Sequence, residues 1–182
     1  MIKVIGGKYG SRNLTTPDEG TLPTKNMVRG AMLSSLGDRI EGASVLDLFA
    51  GSGALGIETL SRDASSCLFV EKNPVAAKVV EKNLTTLKES KGTVWNCDYL
   101  VALSRAKQEG KKFDIVFLDP PYALKDSYQT AVDFLLNEGL LNEEATVILE
   151  FEGDIPFENK GFPFERRYKY GKTNVLALRR IL

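Results

Sequence analysis

A glycine-rich segment and an acidic residue 20 positions beyond its first glycine have the types and spacing of a nucleotide-binding site. Residues 51–56 read G-x-G-x-x-G and follow an apolar run typical of a buried strand. Such glycines let the backbone approach a ligand at the edge of a parallel sheet. Glu71 ends the next apolar run, where its carboxylate could accept hydrogen bonds from both ribose hydroxyls. Two cofactor classes remain open for such a site, a nicotinamide or flavin dinucleotide and S-adenosylmethionine. The alternative is that the glycine-rich segment binds no cofactor and is a turn that needs small residues only for packing.

The segment Asp119-Pro120-Pro121-Tyr122 follows a later apolar run and has the groups needed to hold an amine on a flat ring. The two prolines stiffen the loop and lack N–H donors, so the carbonyls of Asp119 and Pro120 can point into a site beside the Asp119 carboxylate. Tyr122 supplies a ring that can stack on the base. Hydrogen bonds to both amine hydrogens favour a pyramidal nitrogen that can attack a sulfonium methyl group. A hydride transfer does not need such a set of acceptors around an amine, so the segment favours S-adenosylmethionine over a dinucleotide cofactor. The alternative is a diproline turn that only leaves a strand.

Composition excludes several other kinds of catalytic site. The 182 residues include no histidine, so a Ser–His or Cys–His nucleophile pair cannot form and no histidine is available to bind a metal. The two cysteines, Cys67 and Cys97, are too few for a four-cysteine zinc site or a disulfide framework and predict reduced core thiols. A general base must therefore be Asp, Glu, Lys, Tyr or a backbone group.

The elements that must position these residues follow an alternating pattern, which predicts a parallel sheet covered by helices on both faces. Residues 1–20 predict a short hairpin, followed by a helix that begins after Pro23-Thr24 and stops at Gly37. Two strands around Gly171-Lys172 predict an antiparallel hairpin at the end. Between them, strands are predicted at residues 43–49, 67–70, 93–97, 113–118 and 146–151, with helices through residues 57 and 60 and at 74–87, 100–108 and 128–136.

Charge is balanced overall but unevenly placed. Residues 1–30 carry a net charge of +3, residues 158–182 carry +5, and residues 31–157 carry −8. Two basic ends around an acidic body predict a rim that binds a polyanion, if the fold brings the ends to one face. On this basis Lys8, Arg12 and Arg29 are predicted to contact phosphates, and the alternative is an ordinary solvated surface. No apolar run is long enough for a signal peptide or a membrane span, so we expect a soluble cytoplasmic protein.

The motifs together resemble a known family. Residues 47–53, Asp-Leu-Phe-Ala-Gly-Ser-Gly, with Asp119-Pro120-Pro121-Tyr122 resemble the amino-methyltransferases that use S-adenosylmethionine. The chain is further similar to the bacterial small-subunit (16S) rRNA guanine-N2 methyltransferases in three features: residues 6–14, the helix that carries Val28-Arg29, and the chain length. The resemblance covers essentially the whole chain.

The resemblance implies an α/β fold of the Rossmann-like class I methyltransferase type. Its sheet would have seven mostly parallel strands with a C-terminal antiparallel hairpin, preceded by a small N-terminal hairpin plus helix. Residues 1–37 would form an RNA-contacting extension and residues 38–182 the methyltransferase domain. The implied partner is 16S rRNA or a partly assembled small ribosomal subunit, and we expect a monomer.

The resemblance also implies roles for individual residues. Asp47 with Ala50, Gly51, Ser52 and Gly53 would hold the methionine end of S-adenosylmethionine. The ribose would be bound by Glu71, with Lys72 and Asn73 lining that edge. The adenine would meet Asp98, which accepts from its amino group, and Tyr99. Thr24 would join the cofactor site, and the catalytic residues holding the target base would be Asp119, Pro120, Pro121 and Tyr122.

The chain departs from the family pattern near its N-terminus. It reads Leu22-Pro23-Thr24 where the family usually has Arg-Pro-Thr, and residues 26–30 read Asn-Met-Val-Arg-Gly where Asp-Arg-Val-Arg-Glu is usual. Gly30 inside a helix costs about 1 kcal/mol relative to alanine. Three other functions stay open: an N6-adenine methyltransferase acting on DNA or RNA, a protein that binds an adenosyl ligand without catalysis, and a nucleotide-dependent oxidoreductase.

Overall fold

The structure, a computed structural model, describes residues 1–17 and 23–181, with only the backbone of Pro23 and Thr24. Leu22, where the chain departs from the family pattern, and the side chain of Thr24 therefore lie outside the described residues. Within the described part of the chain, no helix combines the length and apolar character needed to span a bilayer.

A seven-stranded sheet forms the centre of the molecule. Its strands are β3 (Ser44–Asp47), β4 (Ser66–Val70), β5 (Gly92–Trp95), β6 (Phe113–Leu118), β7 (Leu141–Glu152), β8 (Phe164–Tyr170) and β9 (Thr173–Arg179). They lie in the order β5-β4-β3-β6-β7-β9-β8. The first five are parallel, whereas β9 runs antiparallel between β7 and β8. The predicted fold class, including the antiparallel hairpin, is confirmed.

Five helices and a small hairpin complete the fold. The helices are α1 (Pro23–Leu36), α2 (Ala54–Ser61), α3 (Pro74–Leu87), α4 (Tyr99–Gln108) and α5 (Ser127–Asn137), and β1 (Ile2–Lys3) pairs antiparallel with β2 (Asn13–Leu14). The ends of α3 and β6 agree with the sequence prediction. Strand β7 begins five residues earlier than predicted, because Leu141 pairs with Phe113 before a register shift in the ladder. A 3-10 turn at Tyr122–Leu124 was not predicted.

Each face of the sheet buries its own hydrophobic cluster. Helices α4 and α5 cover one face, with Leu103 and Leu135 packed among the side chains of β6 and β7. Helices α1, α2 and α3 cover the other face. This arrangement explains the continuous apolar strands, since both faces of the parallel strands are buried.

The N-terminal segment belongs to the second of these clusters. Val28 and Met32 of α1 are buried with Ile115, Ile148 and Val175 of the sheet. Residues 1–37 therefore complete the core of residues 38–182, and the predicted boundary between them does not separate two cores.

Candidate active site

The glycine-rich loop joins β3 to α2 at the carboxyl edge of the sheet. Gly51 and Gly53 adopt the left-handed backbone, with φ of 59° and 81°. A Cβ at Gly53 would lie 3.0 Å from Val80, and one at Gly56 would lie 2.3 Å from the ring of Phe69. A Cβ at Gly51 would have nothing within 4 Å. Packing therefore explains the last two glycines, and Gly51 is the one where the loop faces open space.

Glu71 ends the next strand and holds this loop in place. Its Oε1 accepts from the backbone N–H of Gly51 at 2.8 Å, and its Oε2 accepts from that of Asn73 at 2.9 Å. A carboxylate has about four lone-pair positions, so each oxygen can still accept from a ligand hydroxyl. Asn96 supports the same strand end, because its amide donates to the carbonyls of Glu71 and Lys72.

Asp47 lies beneath the loop and is 3% exposed. Its Oδ2 accepts from the backbone N–H of Gly56 at 3.2 Å, which ties the end of β3 to α2. Burial raises the pKa of Asp47 from 3.8 to about 7; the Gly56 hydrogen bond opposes the rise, and the charges of Glu71 and Glu150 add to it. A bound cation beside Asp47 would favour its ionised form.

A cavity of about 630 Å³ opens between the glycine loop and the ends of β4, β5 and β6. This volume is in the range of small-molecule sites. The rings of Phe49 and Tyr99 lie 5.3 Å apart on its wall and offer an apolar surface to a flat ring. Asp98 and Glu71 supply carboxylates to the same wall. The residues present therefore fit S-adenosylmethionine, which combines a ribose, an adenine and a cationic methionine end.

The structure brings most of the predicted cofactor residues to this cavity. They are Asp47, Ala50, Gly51, Ser52, Glu71, Lys72, Asp98 and Tyr99. Asn73 does not reach it, because its side chain caps α3 by accepting from the backbone N–H groups of Val75 and Ala76. Gly53 is buried under the loop. Asp98 also caps a helix, since its Oδ2 accepts from the N–H of Leu100 at 3.0 Å.

A second cavity of about 500 Å³ adjoins the first, and Lys25, Asp119, Pro120 and Glu150 line both. Tyr122 lines only the second and is 81% exposed, so its ring is available for stacking. The carbonyl of Pro121 accepts from the N–H of Leu124 at 2.8 Å, and this bond closes the 3-10 turn that carries Tyr122. The predicted catalytic segment thus lies where a base and a cofactor could meet.

Asp119 has an acidic neighbour that the sequence did not identify. Loss of hydration at the cavity wall raises the pKa of Asp119 well above its ordinary value although the residue as a whole is exposed, and the adjacent Glu150 carboxyl raises it further. Burial likewise raises the pKa of Glu150, while Asp119 and the Lys25 ammonium oppose that rise. The Tyr128 hydroxyl donates to the backbone carbonyl of Glu150 at 2.5 Å and braces this part of β7. The two carboxyls are therefore within hydrogen-bonding reach of each other and lie beside the Lys25 ammonium.

The predicted RNA contacts are not gathered at these cavities. Arg29 is 6% exposed, and its Nη2 donates to the carbonyl of Lys3 at 2.8 Å while its Nε lies 3.9 Å from Oε1 of Glu58. The predicted phosphate contact of Arg29 is therefore wrong, because its guanidinium is buried against α2. Lys8 pairs with Glu89, and Arg12 donates to the carbonyl of Thr86.

Lys8 and Arg12 thus lie by the C-terminal end of α3, away from the loop edge where that helix begins. At 1.5 Å per residue, its 14 residues place the two ends about 20 Å apart. The C-terminal hairpin forms the opposite edge of the sheet. Lys8 and Arg12 are therefore on a different side from the hairpin, whereas Lys25 lines a cavity with Lys172 of the hairpin. The phosphate contacts of Lys8 and Arg12 stay predictions.

Sequence reasoning missed Glu150, Lys25, Phe49 and Asn96. Glu150 carried a usable signal, since it lies near the end of an apolar run as Glu71 does. Lys25 carried none, because its place beside Asp119 depends on how α1 packs across the sheet.

The fold and this geometry agree with known proteins. The family model described as conserved hypothetical protein 95 matches residues 2–179. Ribosomal RNA small subunit methyltransferase D of Escherichia coli is 38% identical over 153 residues, which cover 84% of this chain and 75% of that protein. The solved structure of the Escherichia coli protein yhhF has a TM-score of 0.86 at 30% identity, covering 99% of this chain and 98% of that one.

Two more distant similarities bear on the fold and on the substrate. An RNA methyltransferase of Salinibacter ruber, solved with S-adenosyl-L-homocysteine, has a TM-score of 0.65 at 16% identity, covering 88% of this chain and 94% of that one, and shows the shared fold. A tRNA1(Val) (adenine(37)-N6)-methyltransferase of a Flavobacteriaceae bacterium is 30% identical over 175 residues, which cover 84% of this chain and 73% of that protein. From the family match and the first relative, the chain belongs to the conserved hypothetical protein 95 family, that of the ribosomal RNA small subunit methyltransferases D.

Proposed function

We propose that this protein transfers a methyl group from S-adenosylmethionine to the exocyclic N2 amine of a guanine in 16S rRNA of the small ribosomal subunit. The observation that carries the proposal is the position of Asp119 between two adjoining cavities, one with the groups a nucleoside cofactor needs and one with the exposed ring of Tyr122. The E. coli relative, named as a small-subunit rRNA methyltransferase, supports the choice of RNA.

In this proposal the first cavity holds the cofactor. Glu71 accepts from the ribose hydroxyls, Asp98 accepts from the adenine amino group, and Phe49 and Tyr99 flank the adenine. Asp47 faces the methionine ammonium. The cofactor supplies an electrophilic methyl group on a sulfonium sulfur.

The second cavity holds the target base, which must leave its stack to enter. Tyr122 stacks on the base, and the Asp119 carboxylate accepts from one hydrogen of its amine while the Pro120 carbonyl accepts from the other. The bound cofactor would supply its methyl group to the amine nitrogen with cleavage of the sulfur–carbon bond, and the methylated amine would release its extra proton to water at the open second cavity. Because positive charge grows on the nitrogen during the transfer, the negative carboxylate stabilises the transition state more than the ground state.

Basic residues surround the mouth of the second cavity. Lys125 and Lys172 line it, and Lys172 lies in the turn between β8 and β9. Further basic side chains on the hairpin are exposed at Arg166, Arg167 and Lys169. We propose that RNA phosphates lie along this hairpin when the base is bound, since cation–phosphate contacts position a nucleic acid. Lys8 and Arg12 would contact a different part of a large RNA.

Methylation of adenine N6 is the second candidate, favoured by the similarity to the adenine-N6 enzyme and by the Asp119 segment, which suits any amine on a flat ring. A radiolabelled methyl-transfer assay on unmodified 16S rRNA, partly assembled small subunits and DNA, followed by nucleoside mass spectrometry, separates the two. We expect N2-methylguanosine in the RNA products. N6-methyladenosine as the product, or transfer to DNA alone, would overturn the guanine proposal. A thermal midpoint that NAD raises and S-adenosylhomocysteine does not would overturn the proposal that S-adenosylmethionine is the cofactor.

A further inference from the structure

Asp119 and Glu150 lie side by side because of the sheet register. Strands β6 and β7 are parallel neighbours, and Leu118 pairs with Leu149. The residue after each of these leucines is acidic, with Asp119 directly beyond the end of β6 and Glu150 within β7. The two carboxyls therefore start from neighbouring positions at this edge of the sheet. Neighbouring strands lie about 4.8 Å apart, so acidic side chains that start from adjacent strands can contact the same ligand.

Both carboxyls point to the face of the sheet that α1 covers. Phe117 and Ile148 lie in the cluster under α1, whereas Leu118 and Leu149 lie in the cluster under α4 and α5. Because side chains alternate along a strand, Glu150 returns to the α1 face, and the shared cavities place Asp119 there too. Lys25 in the first turn of α1 lies beside both carboxyls. The site therefore offers two adjacent acceptors and one donor.

This arrangement matches one purine better than the other. The Watson–Crick edge of guanine presents two neighbouring donors, the N2 amine and the N1–H, followed by the O6 acceptor. Adenine presents its N6 amine beside N1, which is an acceptor. Two adjacent carboxylates can accept from both guanine donors, but the second would repel the lone pair of adenine N1. The ammonium of Lys25 can donate to O6.

We propose that Glu150 and Lys25 select guanine, with Glu150 accepting from the ring N1–H and Lys25 donating to O6 while Asp119 holds the amine. This inference rests on the proposed guanine-N2 activity and names the groups that would give it specificity. Burial raises the pKa of both acids and Lys25 opposes that rise. A bound guanine whose two N–H donors face the carboxyls would favour the ionised form that accepts from it.

The test uses 2-aminopurine, which keeps the methyl-accepting amine but has an acceptor at N1 and no O6. A 16S rRNA fragment that the full-length protein methylates is synthesised with either guanine or 2-aminopurine at the target position. Single-turnover rates are then measured for the wild-type protein, Glu150→Gln, Lys25→Met and Glu144→Gln. The last variant is the matched control, since it removes the same charge from an exposed position on β7 that lines neither cavity.

We expect the wild-type protein to methylate guanine about 100-fold faster than 2-aminopurine, because polar groups that the bound base would enclose discriminate strongly when they lose their hydrogen-bond partners. Glu150→Gln should narrow this ratio about tenfold or more, since an amide can donate to the N1 acceptor. Lys25→Met should slow the guanine reaction and leave the 2-aminopurine rate within about twofold. Glu144→Gln should keep the wild-type ratio. S-adenosylhomocysteine affinity and the thermal midpoint report whether each variant is folded.

Two failures are distinguishable. If the wild-type protein methylates no guanine N2 in any rRNA substrate, the proposed function is wrong and this inference falls with it. If it methylates guanine but folded Glu150→Gln keeps the wild-type base ratio, the proposed function stands and the role assigned to Glu150 is wrong. An unchanged guanine rate in Lys25→Met would likewise remove Lys25 from the base site.

Discussion

Replacing Asp47 with asparagine should stabilise the free protein and weaken its cofactor binding. Burial raises the pKa of this carboxyl from 3.8 to about 7 in the folded protein. At 1.36 kcal/mol per pH unit, ionising Asp47 in the fold at high pH costs up to about 4 kcal/mol of stability. Asparagine removes this cost and keeps an acceptor for the Gly56 N–H.

The sign of the pH dependence follows from the raised pKa. The folded state binds the proton more tightly than the unfolded chain, so this contribution to stability is full below pH 3.8 and is lost as pH rises to about 7. We therefore expect Asp47→Asn to equal the wild-type protein near pH 4 and to exceed it at pH 8. For a chain of this size, a difference of 4 kcal/mol raises the thermal midpoint by about 10 °C.

Cofactor binding should change in the opposite direction. If the Asp47 carboxylate pairs with the methionine ammonium, S-adenosylhomocysteine affinity should fall about tenfold per pH unit below pH 7 and level off above pH 8. In Asp47→Asn the S-adenosylhomocysteine affinity should be weaker, and the pH dependence that the Asp47 carboxyl causes should be absent. Urea unfolding and titration calorimetry from pH 4 to 8.5 measure both effects. If the free energies of unfolding of the two proteins differ by the same amount at every pH in this range, the reasoning is refuted.

The remaining predictions concern the other parts of the site. Glu71→Ala should weaken S-adenosylhomocysteine binding by about 10- to 100-fold, since hydrogen bonds to charged groups contribute about 1.5–3 kcal/mol, and unchanged affinity by calorimetry would exclude a role in the site. Asp119→Ala should lower the single-turnover rate by about 100-fold with little change in cofactor affinity; the wild-type rate would mean that its loop is only a rigid turn. Lys8→Ala with Arg12→Ala should make the salt dependence of RNA binding shallower by about 0.7–0.9 for each phosphate that the protein no longer neutralises, and the wild-type slope would mean ordinary surface charge. Arg29→Ala should instead lower the free energy of unfolding in urea by about 2 kcal/mol, because the Lys3 carbonyl loses its donor and Glu58 keeps only Arg62 as a cationic partner, and an unaffected unfolding curve would argue against a structural role for Arg29.

The parts of the site that follow from local sequence could be predicted. A glycine loop after one apolar run, Glu71 after the next and the segment at Asp119 all lie at strand ends. Parallel strands bring their carboxyl ends to one edge, so reading the strands correctly was enough to place these residues together.

What could not be predicted depends on tertiary packing. Arg29 is one turn along the same helix from Lys25, and composition alone gave no reason to bury one and expose the other. The difference arises because α1 crosses the sheet with Arg29 toward α2 and Lys25 toward the end of β7. Similarly, Glu150 becomes a neighbour of Asp119 only through the register that pairs Leu118 with Leu149.

The packing of α1 has a consequence for how the protein is made. Helix α1 is synthesised before the central sheet, yet it shares its core with Val175 of β9, the strand of that sheet that comes latest in chain order. Until β9 emerges, the apolar side of α1, with Val28 and Met32, lacks part of its final cover, and such long-range contacts form slowly. A nascent chain that stops before the final hairpin should therefore expose this surface and be a substrate for chaperones or proteases. The same late step sets α1 against the sheet and brings Lys25 to the base cavity, so methyl-transfer activity should appear only once β9 has paired with β7.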